Sequence, residues 1–217
     1  MNRIWTAALL LAATATAASA AEGSYANFLS IQLTNGTADI ATELSSSFNG
    51  FAPAFDHSEY GFKAEYQRMM GPEYAFNLSY GMGFFGEEDK PGNNSAPGDG
   101  AQKYTQSSFN FRVGGDRLLG VGERTYIFFG PGIEWWSGKA KFEDETAPGA
   151  SYETESVSRI SIGARLGGHM MVGPTWGVTA QIGTKIGRAT YKEAGAETTW
   201  WPSSMEGGVG LVFKFGG

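Results

Sequence analysis

The chain has 217 residues, a formal net charge of −6, no cysteine, 32 glycines and 14% aromatic residues. The acidic balance argues against nucleic acid as a partner. Without cysteine there is no disulfide framework, thiolate metal site or lipidated cysteine. Glycine and aromatic content both exceed ordinary usage.

The first residues read as an export signal. Arg3 supplies a positive start, residues 4–12 a short apolar core, and Ala18-Ser19-Ala20 a small-residue cleavage site. Residues 1–20 are therefore expected to be a cleaved signal peptide, and 21–217 one domain. The apolar run is too short to span a bilayer as a helix. Later apolar runs are broken by Gly, Ser or charge every few residues. A hydropathy scan would read such a chain as soluble, but membrane strands give a far weaker signal per segment than helices.

Eight segments repeat with period two, the mark of strands with two unlike faces. In the first, 25–34, Leu29, Ile31 and Leu33 oppose Ser30 and Gln32. The second, 59–70, sets Tyr60, Phe62, Ala64 and Tyr66 against Gly61, Lys63, Glu65 and Gln67. The third, 74–84, is the most regular. Tyr74, Phe76, Leu78, Tyr80, Met82 and Phe84 alternate with Ala75, Asn77, Ser79, Gly81 and Gly83. The fourth, 103–114, sets Phe109, Phe111 and Val113 against Ser108, Asn110 and Arg112.

In the fifth, 124–136, Ile127, Phe129, Ile133 and Trp135 alternate with Phe128, Gly130, Gly132 and Glu134. Pro131 interrupts it; proline cannot donate to a ladder, so a bulge is expected there. The sixth, 158–171, sets Ile160, Ile162, Ala164 and Leu166 against Arg159, Ser161, Arg165 and His169. The seventh, 175–186, sets Trp176, Val178, Ala180 and Ile182 against Thr179, Gln181 and Lys185. The last, 206–215, sets Val209, Leu211, Phe213 and Phe215 against Gly208, Gly210 and Lys214.

The connections alternate in length. Long polar stretches cover 35–58, 85–102, 137–157 and 187–205. Gly71-Pro72-Glu73 and Val172-Gly173-Pro174 are tight turns. The middle link, 115–123, reads as a longer connection containing Leu118 and Leu119.

Alternation alone fits a soluble lipocalin-like barrel as well as a membrane barrel. Three features favour the membrane. Long loops alternate with short turns, as in outer-membrane barrels. The polar face holds single charges among many glycines and serines, which suits a narrow lumen. Lys63, Glu65, Arg112, Glu134, Arg159, Arg165, Lys185 and Lys214 are expected to pair inside it as a structural charge network. Tyr60, Tyr74, Phe84, Trp135, Trp136 and Trp176 fall near strand ends, as girdle aromatics do. Ten residues at about 3.3 Å each, tilted near 40°, span about 25 Å, the height of the apolar band.

Segments 110–116 (NFRVGGD), 162–169 (IGARLGGH) and 172–180 (VGPTWGVTA) resemble the opacity-protein and OmpX/OmpA-type outer membrane β-barrel superfamily. The resemblance spans the mature chain as a style of sequence. It implies an all-β, eight-stranded antiparallel up-and-down transmembrane barrel with four long extracellular loops and three short periplasmic turns. The end of the chain, 210–215 (GLVFKF), resembles the aromatic signal read by the outer-membrane insertion machinery, carried by Gly210, Phe213 and Phe215. The last two glycines extend past the usual aromatic terminus.

No catalytic motif stands out. His57-Ser58-Glu59 lies at the loop end where lipid A-modifying barrels carry Ser and His, but its spacing matches no triad, and neighbours on a strand face opposite ways. His169 reads as a lumen hydrogen-bond partner, and no spacing suggests zinc or another metal. No cofactor is expected. The loops are acidic, with Glu87, Glu88, Asp89 and Asp99 in one and Glu143, Asp144, Glu145, Glu153 and Glu155 in another. Divalent-cation bridging to lipopolysaccharide phosphates is the sharper reading and solvated loop charge the plainer one. The expected function is a monomeric, non-enzymatic outer membrane barrel, in contact with lipid and lipopolysaccharide, serving envelope integrity or surface interaction. A narrow pore for small solutes comes second and a lipid A-modifying enzyme third.

Overall fold

A computed structural model describes residues 26–38, 58–89, 102–144, 152–153, 157–193 and 196–216. The expected signal peptide, His57 and Asp99 lie outside them, as do Glu145 and Glu155 and the side chains of Ser58, Glu59, Glu87, Glu88, Asp89, Asp144 and Glu153.

Eight strands form the wall: β1 (Asn27–Ala38), β2 (Ser58–Met69), β3 (Tyr74–Asp89), β4 (Gln102–Gly120), β5 (Thr125–Asp144), β7 (Val157–Met171), β8 (Trp176–Glu193) and β10 (Ser203–Phe215). Two short strands, β6 (Tyr152–Glu153) and β9 (Ala196–Trp200), add to β5 and β8. Each wall strand pairs antiparallel with the next, and β10 pairs with both β8 and β1, so the sheet closes on itself. Closure removes the unpaired edges that an open sheet would expose.

The register sets the tilt. Partners of Trp135 run through Phe111, Tyr80, Ala64, Ile31, Leu211, Val178 and Met170 to Thr125, ten residues down the same strand. A stagger of that size in an eight-stranded barrel belongs with strands tilted by about 40°. The interior is then just wide enough for side chains to fill it.

Three tight turns close one end. Met70 N–H donates to the Tyr74 carbonyl at 2.7 Å, Val121 N–H to Thr125 at 2.7 Å, and Val172 N–H to Trp176 at 3.0 Å. Gly122, at φ 83°, takes the left-handed conformation that the middle turn needs.

Three sequence expectations change. The middle link is no loop: β4 continues to Gly120, and only Val121–Arg124 turn. The polarity pattern inverts there, with Arg117 outside and Leu118 inside, because the strand is leaving the apolar band. Second, β1, β3, β5 and β8 run past their expected ends, so the long connections begin as paired strands. Third, Pro131 makes no bulge. Val113 pairs with Ile133 and Arg117 with Phe129 in one unbroken register; only the two pairs between Gly114–Gly132 and Arg117–Phe129 are missing. Gly130 lets β5 pass close to the Gly115 carbonyl, so the missing proline N–H is absorbed without an extra residue.

The faces are those of a barrel in lipid. Ile31, Leu33, Phe62, Ile133, Ile162 and Ile182 are all more than half exposed, whereas Lys63, Glu65, Arg159 and Arg165 keep 6% or less of their surface. A water-soluble barrel has the opposite distribution.

Candidate functional site

The lumen gathers most of the buried polar side chains, and it is layered. At the short-turn end Phe28, Leu118, Phe128, Met171 and Val212 make an apolar floor. These residues share the inward parity of their strands; of them the sequence reading sets only Phe128 on the inner face and leaves Leu118 in the middle link. His169 lies between the rings of Phe28 and Phe128, with centroids 5.0 and 4.9 Å away.

His169 starts the central network. Its Nε2 donates to Gln67 Oε1 at 2.7 Å, and Thr179 Oγ1 lies 3.0 Å from Nδ1. Gln67 Nε2 donates onward to Asp116 Oδ2 at 2.9 Å, as does Asn77 Nδ2 at 2.8 Å. Arg165 is the hub. Its Nε and Nη2 reach Asp116 Oδ1 and Oδ2 at 3.1 and 2.5 Å, a bidentate pair. Its Nη1 pairs with Glu65 and also donates to Gln181 Oε1 at 3.1 Å. The guanidinium lies 4.9 Å over the Phe128 ring and so joins the network to the floor.

A second network sits above the first. Lys63 Nζ meets Glu206 Oε1 at 2.7 Å, and Lys185 Nζ bridges Glu206 Oε2 at 3.2 Å and Glu134 Oε1 at 2.5 Å. Arg159 Nη2 is 3.5 Å from the same Glu134 oxygen and stands 5.5 Å over the Trp136 ring. Trp136 then packs with Val157, Ala189, Tyr191 and Trp200 in an apolar cluster at the long-loop end. Among these layers lie cavities of about 30 and 40 Å³, room for a water molecule or two each.

Of the eight charges expected in the lumen, Lys63, Glu65, Glu134, Arg159, Arg165 and Lys185 come together in ion pairs. Arg112 and Lys214 do not. Arg112 lies inside, but its Nη1 donates to Asn77 Oδ1 at 2.6 Å. Lys214 sits near the end of β10, at the level of the floor, and its Nζ meets Tyr126 Oη at 3.1 Å. Asp116 and Glu206, both central, are absent from the sequence-derived set. Asp116 continues the inward period of Arg112 and Gly114, which was the signal for it; Glu206 stands at the expected start of its strand.

Among the aromatics, Tyr60, Tyr74, Phe84, Trp135 and Trp176 face outward. Trp135 meets Phe109 edge to face at 5.1 Å. Trp136 is a correction: it points into the barrel and is 3% exposed. Neighbours on a strand face opposite ways, so the Trp135-Trp136 pair cannot both belong to a girdle. In the terminal strand, a side chain at Gly210 would run into the Ile31 carbonyl, Phe213 faces outward, and Phe215 stacks on Tyr66 at 6.2 Å.

On β4 and β5 the outward residues above the band are polar, Lys103, Ser107, Lys139 and Lys141 among them. Lys139 and Lys141 follow Trp135 on the same face of β5. Lys141 pairs with Glu143 at 2.5 Å, and this hydrogen bond holds the Glu143 carboxyl below its usual range. Among the described residues no group of three or more His, Cys, Asp or Glu is placed to hold a metal ion.

No known protein family and no curated protein matches the chain by sequence. Solved structures do match in shape. Ail, the attachment invasion locus protein of Yersinia pestis, has 13% identity and a TM-score of 0.50, covering 88% of this chain and 97% of its own. Neisserial surface protein A has 12% identity and a TM-score of 0.50, covering 88% and 99%. At such identities the likeness speaks for the fold, and in fold this chain is a small eight-stranded β-barrel of the outer-membrane type.

Proposed function

We propose that the chain is exported to a bacterial outer membrane and acts there as a non-enzymatic, monomeric barrel in envelope integrity or surface interaction. One observation carries this reading: the wall is apolar outside, and its lumen is filled by side chains from the Phe128 floor to the Trp136 cluster. A barrel filled in this way offers no continuous water path, so its activity falls to the outer surface and the long connections. Outer-membrane lipid and lipopolysaccharide are the proposed partners of the wall. Lys139 and Lys141, just beyond Trp135, stand where headgroup phosphates are expected. The terminal strand is the proposed contact for the insertion machinery during assembly.

Conductance in planar bilayers tests the reading. The expected result is no sustained current above the lipid background. A steady single-channel conductance would overturn it in favour of a narrow pore.

A further inference from the structure

Arg112 is a lumen arginine whose hydrogen bonds do not close among the described residues. The register sets it directly opposite Glu134, the partner a cross-strand ion pair calls for. The Glu134 carboxylate is instead drawn to Lys185 and Arg159. Arg112 Nη1 is taken by Asn77, while its buried Nη2 has no acceptor among the described residues. The residue keeps 7% of its surface, so bulk water does not solvate the charge. A buried guanidinium nitrogen left without an acceptor is destabilising, and folded proteins rarely carry one.

The surroundings point to what satisfies it. The guanidinium lies flat on Gly132, where a Cβ would stand 2.5 Å from Cζ and Nη2. Beside it is the internal cavity of about 30 Å³, which Lys63, Arg165 and Lys185 also line. The two carboxylates of that lining, Glu134 and Glu206, already hold lysines. The lining itself carries four cations, Lys63, Arg112, Arg165 and Lys185, beside two carboxylates, Glu134 and Glu206. The volume exceeds what one water needs, about 10–15 Å³, and leaves no room for a polyatomic organic anion.

We propose that this cavity is a binding site for a single small inorganic anion, a halide such as chloride, held by Arg112 Nη2. The anion supplies the missing acceptor and places a negative charge among the cations of the lining, in a low-dielectric lumen. Water satisfies the hydrogen bond but not the charge.

Two measurements on the full mature barrel in detergent test this. In crystals grown with sodium bromide, an anomalous-scattering peak is expected beside Arg112 Nη2. An ordered Arg112 with no bromide peak, or a guanidinium swung onto Glu134, would overturn the proposal. In the second, urea unfolding midpoints are compared in sodium chloride and in sodium gluconate of equal ionic strength, gluconate being too large for the cavity. The wild-type midpoint is expected to rise with chloride and saturate. Arg112→Gln, which keeps a donor for Asn77, is expected to show no such rise. Equal responses of the two proteins, or no chloride dependence in the wild type, would refute the site.

Discussion

Replacing Arg165 by methionine removes the hub of the lumen while keeping much of its volume. The guanidinium holds Asp116 through two hydrogen bonds, pairs with Glu65, and reaches Gln181. Both carboxylates are 2% exposed or less. After the substitution Asp116 keeps Gln67 and Asn77 as donors, but Glu65 loses its ion-pair partner. Breaking a buried pair from one side costs about 3–5 kcal/mol, most of it the cost of the stranded charge. Arg165→Met is therefore expected to lower unfolding stability by about that amount. Adding Glu65→Gln and Asp116→Asn removes the stranded charges and is expected to restore most of the loss, because neutral replacements of a buried ionic cluster are often near-neutral. Urea unfolding in micelles, followed by tryptophan fluorescence, measures both. The reasoning fails if the single variant unfolds like the wild type, or if the triple variant is no more stable than the single.

Gly210→Ala places a Cβ against the Ile31 carbonyl and 2.6 Å from Gln32 Cα, at the β1–β10 seam that closes the barrel. A loss of about 1–3 kcal/mol is expected by the same unfolding assay. Gly36→Ala, whose nearest neighbour is the Met205 carbonyl at 3.6 Å, is the near-neutral control. Phe128→Ala empties the centre of the floor and should cost about 3–5 kcal/mol; an unchanged midpoint would mean the floor is not packed. Brominated acyl chains should quench Trp135 and spare Trp136. Trp135→Phe should then reduce the quenched fraction and Trp136→Phe should not, by steady-state fluorescence in brominated-lipid vesicles.

How much of this was legible depended on where a residue sits along the barrel axis. In the lipid band the two faces meet different solvents, so alternation is sharp, and 74–84 reads as a strand without help. Above the band the contrast between the two faces fades, which hid the paired continuation of β3 through 85–89 and of β5 through 137–144. Below it the contrast reverses at Arg117 and Leu118, which made the end of β4 look like a loop and took Asp116 out of the network. Inward aromatics such as Trp136 and Phe128 carry no mark of direction beyond parity, and parity, when applied to Trp136, gives its true side. Pro131 was misread because a bulge is only one way to absorb a missing donor. Gly130, passing close to the carbonyl of residue 115, lets the register continue instead.

The central claim is that the apolar face of each strand points outward into lipid. The chain has no cysteine, so single cysteines can be placed and spin-labelled along β3 from Tyr74 to Phe84 without background. In lipid vesicles, labels at Phe76, Leu78, Tyr80 and Met82 are expected to relax with oxygen dissolved in the bilayer. Labels at Ala75, Asn77, Ser79 and Gly81 are expected to be shielded from it, giving a period of two. The opposite phase, with the apolar positions shielded and the polar ones open to an aqueous relaxant, would contradict the account and leave a soluble barrel with an apolar interior.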